Sequence, residues 1–301
     1  MRALLIAAIC AASAMTSPAL AQERSAIGNG RLFTNDYFGD GQDRWRTGSY
    51  VYSHVRGRED YDGTAAAFGD IIEYRFRGEI IAPRSGIGPT GERPYVGALS
   101  FGAHTHFGVG DMNASVGADV VAVGPQTGLD DFQNRFHDAF SLPVPSQGNQ
   151  LADDIFLSAT AELSQTLSLG NNVTVRPFAE AQTGVEDILR VGGDLMFGTV
   201  GQSDLMLRDV VTGQLYRGTQ GPGNGFSYVV GADIAAVGGS VYLPEDQGYV
   251  ASDTRTRARA GVHFQMRDDV SFYYGLTYLS EEYEGQPEGQ VVGSLKLNFN
   301  F

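Results

Sequence analysis

The feature that most constrains this chain is an alternation of apolar and polar residues with period two, repeated from Thr47 to the C-terminus. Residues 47–55 read Thr-Gly-Ser-Tyr-Val-Tyr-Ser-His-Val, and residues 70–80 read Asp-Ile-Ile-Glu-Tyr-Arg-Phe-Arg-Gly-Glu-Ile. Further segments cover 98–107, 114–123, 155–167, 173–183, 189–199, 226–243, 255–266, 270–279 and 291–301. A short opening strand near 27–34 brings the count to about twelve. Such alternation sends successive side chains to opposite faces of a sheet. No stretch offers 18 uninterrupted apolar residues, so a membrane-crossing helix is not expected. A soluble sandwich and a closed barrel are the two architectures left.

Three features favour a barrel in a membrane. Several segments reach ten residues or more, the length a tilted strand needs to cross an outer membrane. Tight turns, Gly170-Asn171-Asn172 and Arg267-Asp268-Asp269, alternate with long polar loops. The chain ends on a strand whose Leu295, Leu297, Phe299 and Phe301 share one face, with Ser294, Lys296, Asn298 and Asn300 on the other. A terminal Phe301 on such a strand is the mark by which outer-membrane assembly machinery takes up a barrel. Closure is a physical requirement as well, because a backbone group facing hydrocarbon has no partner unless another strand supplies one. The expected fold is all-β: a closed antiparallel transmembrane barrel of about twelve strands.

Ahead of the strands lies Met1-Arg2, an apolar stretch from Ala3 to Met15, and Ala19-Leu20-Ala21. A basic start, a short apolar centre and an A-x-A site predict a signal peptide over 1–21, with the barrel over 22–301. The single cysteine, Cys10, lies in that segment, which rules out disulfides and thiolate metal ligands in the mature chain. The net charge of −14 excludes nucleic acid as a partner. It is compatible with an anionic lipid surface bridged by divalent cations.

Two regions break the alternation. Leu129, Phe132, Phe136 and Phe140 recur at helical spacing, with Asp130 and Asp131 near the start, predicting a short helix over 129–140 in an extracellular loop. Residues 201–225 are Gly-rich and polar and read as a long exposed loop. Hydrolase signatures such as G-x-S-x-G, H-E-x-x-H and a phosphate-binding loop are missing. His104 and His106 share a strand face, which suits a polar lumen lining better than a two-histidine metal site. His137 stands apart, because it lies on the unusual helix.

Around His137 the sequence resembles the LpxR family of outer-membrane lipid A 3′-O-deacylases. Asn35-Asp36 matches an early Asn-Asp pair, and Asp43-Arg44 through Thr47-Gly48 matches a D-R-x-x-T-x-G element. Ala82-Pro83 and then Glu92-Arg93-Pro94-Tyr95-Val96-Gly97 resemble a Pro-containing strand end and a D-R-P-Y-A-G element. Gly124-Pro125, then Gln133-Asn134-Arg135-Phe136-His137, resembles G-P…Q-N-x-x-H. Gly148-Asn149-Gln150-Leu151 and Glu282-Tyr283-Glu284-Gly285-Gln286 complete the series. Each motif is weak alone, but six in order span nearly the whole mature chain.

The resemblance implies a twelve-stranded barrel with an active site between its rim and a loop helix. It implies Ca2+-dependent hydrolysis of the 3′-linked acyl (acyloxyacyl) chain of lipid A, in lipopolysaccharide of the outer leaflet. His137 would be the general base for water, Asp36 a Ca2+ ligand, and Asn35 and Thr47 donors to the oxyanion or its neighbours. Arg84 and Arg93 would meet lipid A phosphates. Two departures stand out: the supporting acid about six residues after the histidine is Pro143 here, and the basic stretch after Pro83 is reduced to Arg84. A phospholipase would use the same chemistry, and a non-enzymatic pore or structural barrel is the competing class.

Overall fold

The computed structural model describes residues 24–299 apart from 60, 62, 64–65, 85–91, 144–146, 171 and 269. The predicted signal peptide and Phe301 lie outside the described residues.

Fifteen strands form in chain order: β1 (Ser25–Asn35), β2 (Trp45–Gly57), β3 (Ile71–Ala82), β4 (Val96–Val109), β5 (Met112–Val123), β6 (Asp154–Ser164), β7 (Leu167–Ser168), β8 (Val173–Thr183), β9 (Glu186–Gly198), β10 (Met206–Arg208), β11 (Leu215–Arg217), β12 (Gly225–Ser240), β13 (Thr254–Arg267), β14 (Val270–Leu279) and β15 (Gln290–Phe299). Setting aside the two-residue β7 and the β10–β11 hairpin, twelve antiparallel strands follow one another around the wall. β1 pairs with β15 and β6 with β8, so the sheet closes on itself. Among the described residues no helix is long and apolar enough to cross a membrane.

The wall is inside out relative to a soluble protein. Leu189, Val191, Ile234 and Leu297 are exposed, while Arg257, Arg259, Asp194 and Asp233 are buried. Alternation therefore puts apolar side chains on the outer surface and charged ones in the lumen, as an apolar surrounding medium requires. Inside, Asp233 accepts hydrogen bonds from Arg190, Arg257 and Arg259, and Asp194 from Arg208 and Arg259.

Residues 201–225 correct the expectation of an exposed loop. They fold back into the lumen, where β10 and β11 pair as a hairpin with Leu207 and Tyr216 buried. Gly, Gln and Thr look like loop composition, but in a polar lumen the same residues find hydrogen-bond partners. Gln214 donates to the Leu276 carbonyl and the Thr277 hydroxyl, both at 3.0 Å, and accepts from the Tyr273 hydroxyl at 2.5 Å. The Tyr216 hydroxyl lies 2.9 Å from that of Ser53. Glycines in β1 admit the hairpin: a Cβ at Gly28 would fall 2.2 Å from the Gly218 carbonyl oxygen, and one at Gly30 2.8 Å from the Tyr216 ring. A cavity of about 230 Å³ remains beside the hairpin, toward the ends of β4 and β5 that meet in a tight turn.

His104 and His106 both face the lumen. His104 Nε2 lies 3.1 Å from Asp119, and His106 Nε2 lies 2.8 Å from Glu73. Each histidine has its own carboxylate, as expected of a polar lining.

β1 begins and β15 ends at the turn end of the barrel. The opposite, loop end carries the described residues of the segments 36–44, 83–95, 124–153, 184–185, 241–253 and 280–289.

Candidate functional site

The site begins where β1 ends. Asn35 closes the strand, and its side-chain oxygen accepts the Tyr37 N–H at 2.9 Å, capping a one-turn 3-10 helix over Asp36–Phe38. That turn carries the Asp36 side chain inward, where it is only 2 % exposed. Its Oδ2 accepts from the Arg44 backbone N–H at 2.8 Å and from the Thr47 hydroxyl at 3.0 Å. The same hydroxyl lies 2.5 Å from Asp43 Oδ1.

One hydroxyl proton cannot serve two carboxylates at once. The Asp36 pKa is pushed up to about 8, chiefly by burial and further by the charge of Asp43; the Arg44 N–H and Thr47 pull the other way. Asp36 therefore holds its proton more tightly than an ordinary carboxyl. No arginine or lysine forms a salt bridge with Asp36 among the described residues; the nearby Arg44 guanidinium is taken by Asp40 at 3.2 Å and Glu288 at 2.5 Å.

The second half of the site is helix α1 (Leu129–Phe140), in the expected place. It starts at Gly128 and ends at Ser141, both in left-handed backbone, with Pro143 just beyond. Its faces divide sharply. Gln133 and His137, four residues apart, are buried, whereas Phe132, Phe136 and Phe140 are exposed and form a row with ring centroids 6.5 and 4.8 Å apart. The aromatic residues that reveal the helix in the sequence thus face outward, and Gln133 and His137 between them face the barrel.

His137 Nδ1 lies 2.6 Å from the Pro143 carbonyl oxygen. A carbonyl can only accept, so Nδ1 carries a proton, and in the neutral ring Nε2 is the nitrogen with the lone pair. The Asp43 carboxylate lies 3.8 Å from the same Nδ1. The sequence shows that the acid expected six residues after the histidine is replaced by proline. It does not show that the proline's own backbone occupies the orienting role.

The structure thus joins His137, Asp43, Thr47 and Asp36 through consecutive contacts, with Asn35 adjoining Asp36 in the chain. Asp43 was visible in the sequence only as part of a motif, with no role attached. Arg84 sits half-buried at the rim, 3.8 Å from Glu92, 3.6 Å from Glu288 and 5.7 Å from the Trp45 ring. Arg93 is elsewhere. It is buried beneath the rim and pairs with Glu282 at 2.5 Å, in a network that also holds Arg46. Burial, and then Arg46 nearby, draw its pKa down, while Glu282 opposes them. Among the described residues, no three Asp, Glu, His or Cys side chains converge as a metal cluster.

The family model of the outer membrane protein LpxR matches residues 4–301. No curated protein matches the chain. Among solved structures, LpxR from Salmonella typhimurium superposes with a TM-score of 0.74 at 16 % identity, covering 91 % of this chain and all of that one. The KdgM porin reaches a TM-score of only 0.40 at 7 % identity, over 91 % of this chain and 98 % of the porin. The β domain of the Bordetella autotransporter BrkA reaches 0.42 at 13 %, over 92 % of this chain and 100 % of that domain.

Proposed function

The chain belongs to the LpxR family of outer-membrane proteins, known as lipid A deacylases, and from that premise we propose that its loop-end site is an esterase. It removes the 3′-linked acyl chain of lipid A in the outer leaflet. The observation that carries this reading is His137, turned by the Pro143 carbonyl so that Nε2 is the free base, and joined through Asp43 and Thr47 to Asp36.

In this reading, His137 Nε2 takes a proton from a water molecule, whose oxygen forms a bond to the ester carbonyl carbon. Asn35 and Thr47 supply donors near the developing oxyanion. The sugar–oxygen bond to the acyl carbon then breaks, the proton passes from His137 to the sugar oxygen, and a free acid departs. The neighbouring Asp43 carboxylate stabilises the imidazolium that exists between these transfers.

The donor set fits Ca2+. Asp36 and Asp43 offer hard oxygen ligands, and Asp36 is a buried carboxylate whose ionised form has no cationic partner among the described residues. Bound Ca2+ would supply Lewis-acid polarisation of the ester carbonyl. Arg84 is positioned to meet a headgroup phosphate, and Arg93 supports the rim through Glu282.

The test is mass spectrometry of lipid A from a host lacking its own deacylase, expressing wild type or His137→Ala, with and without chelator. We expect loss of one acyl unit with wild type alone, and only when Ca2+ is present. Intact lipid A with fatty acid released from phospholipid would replace the substrate. No released acid from a folded barrel would return the protein to the non-enzymatic class.

A pore is the less well supported alternative. The β10–β11 hairpin and its ion pairs occupy the lumen, and twelve strands give a barrel that side chains can largely fill.

A further inference from the structure

The geometry points to Gln290 as a positioning residue, one that holds the 44–46 turn and with it the Asp36–Thr47–Asp43 arrangement. Among the described residues β1 pairs with β15 only through Phe33, Thr34 and Asn35, and with β2 only up to Gly48. Beyond Asn35 the chain leaves the wall to form the turn that carries Asp36. β2 and β15 continue past that point, to Trp45 and Gln290, with no strand between them.

On its other side, β2 remains paired: Trp45 lies opposite Ala82 and Arg46 opposite Ile81, before a bulge at Thr47. On the side that β1 has vacated, the Arg44 carbonyl and the Arg46 amide and carbonyl face a gap. Buried backbone groups of this kind need partners. The Gln290 side chain supplies them. Its Nε2 donates to the Arg44 carbonyl at 2.7 Å and more weakly to the Arg46 carbonyl at 3.4 Å, and its Oε1 accepts the Arg46 N–H at 3.1 Å. The side chain is 3 % exposed and does the work of the missing strand.

What it holds is strained. Trp45 has a φ of 54°, an uncommon conformation for a bulky residue, and persists only if its neighbours fix it. Immediately before Trp45 is the Arg44 N–H that donates to Asp36, and two residues after it is Thr47. Loosening the turn displaces both donors of Asp36 together. A glutamine fits this task because one planar amide accepts and donates in the same direction; neither glutamate nor methionine can do both.

Trp45 is the only tryptophan in the chain and is fully buried, so the turn carries its own reporter. The catalytic part of this inference rests on the esterase reading above, whereas the structural part does not. The experiment compares wild type, Gln290→Met and Gln290→Asn in full-length barrels whose folding is verified by heat-modifiable migration. Methionine keeps the volume without the hydrogen bonds, and asparagine keeps the polarity without the reach, so failure of one to fold leaves the other. Trp45 emission and its quenching by acrylamide report the turn, and deacylation kinetics report the site.

We expect red-shifted, more readily quenched emission in both variants, and a kcat lower by about tenfold or more with KM little changed. Emission and quenching identical to wild type would overturn the inference whatever the activity. A loosened Trp45 in an enzyme of unchanged kcat would overturn the positioning role. If wild type itself releases no acid, the esterase reading fails, and the quenching data alone decide whether Gln290 holds the turn.

Discussion

The lumen and the loop-end site both bury carboxylates, but they treat them oppositely. In the lumen, Asp233 is ringed by Arg190, Arg257 and Arg259, and Asp194 lies between Arg208 and Arg259. At the rim, Asp36 is buried as deeply, yet its partners are a backbone amide and a hydroxyl that Asp43 also claims. A compensated buried charge stabilises a structure, or at least does not strain it. An uncompensated one is costly and persists where a ligand or a reaction makes use of it. Charge balance, rather than burial, separates scaffold from candidate site in this molecule.

The largest expected effect lies at the site. His137→Ala should lower deacylation by about 100- to 10,000-fold, the usual contribution of a general base, while the barrel still folds. Equal activity in the variant would move the base elsewhere and remove the functional half of the comparison. Next is the lumen. Asp233→Ala takes a carboxylate partner from three buried arginines, and from Arg257 its one ion pair among the described residues, and should cost about 3–5 kcal/mol in urea unfolding followed by heat-modifiable migration. A loss much below that would mean that water or neighbouring carboxylates already share the load, and the contrast with Asp36 would weaken.

Asp36 should respond with the opposite sign. Its folded pKa, about 8, lies above the ordinary 3.8, so between those values the folded state holds a proton that the unfolded state has released. Its contribution to stability is therefore complete below pH 4 and is lost as pH rises toward and through 8. Asp36→Asn removes this dependence. Measured against wild type, the variant should gain thermal stability steadily from pH 5 to pH 9, while losing any stabilisation of wild type by added Ca2+. A difference that does not change with pH would show that Asp36 ionises freely.

The regions also differ in how far the sequence reveals them. Alternation discloses the wall, because inward and outward positions must differ chemically all along each strand. The twelve strands and the terminal Leu-Lys-Leu-Asn-Phe pattern follow from that rule. The same rule misleads at 201–225, where polar composition suggests exposure. In a barrel whose interior is polar, hydrophilicity no longer tells inside from outside. At the site, Asn35, Asp36, Thr47 and His137 were legible through motifs. Asp43 came without a role, and the part played by Gln290 was hidden, since it depends on where β1 ends relative to β2 and β15. Arg93 matched a motif but is held beneath the rim by Glu282, a partner 189 residues away in the chain.

The smallest predicted effect tests the least legible contact of all, the Pro143 carbonyl on His137. Because the acceptor is backbone, replacing the side chain leaves it in place. Pro143→Ala should lower activity only about two- to fivefold, the cost of freeing a rigid φ just after the helix. Gly in place of Ala should lower it somewhat further, in proportion to the added backbone freedom. If Pro143→Ala instead approached the loss seen with His137→Ala, the proline ring rather than its carbonyl would be holding the loop. The orienting hydrogen bond would then be a consequence of that packing. A variant carrying Asp at 143 distinguishes the two further. If the carbonyl already orients the imidazole, a carboxylate gives no gain; if orientation is incomplete, activity rises above that of Pro143→Ala.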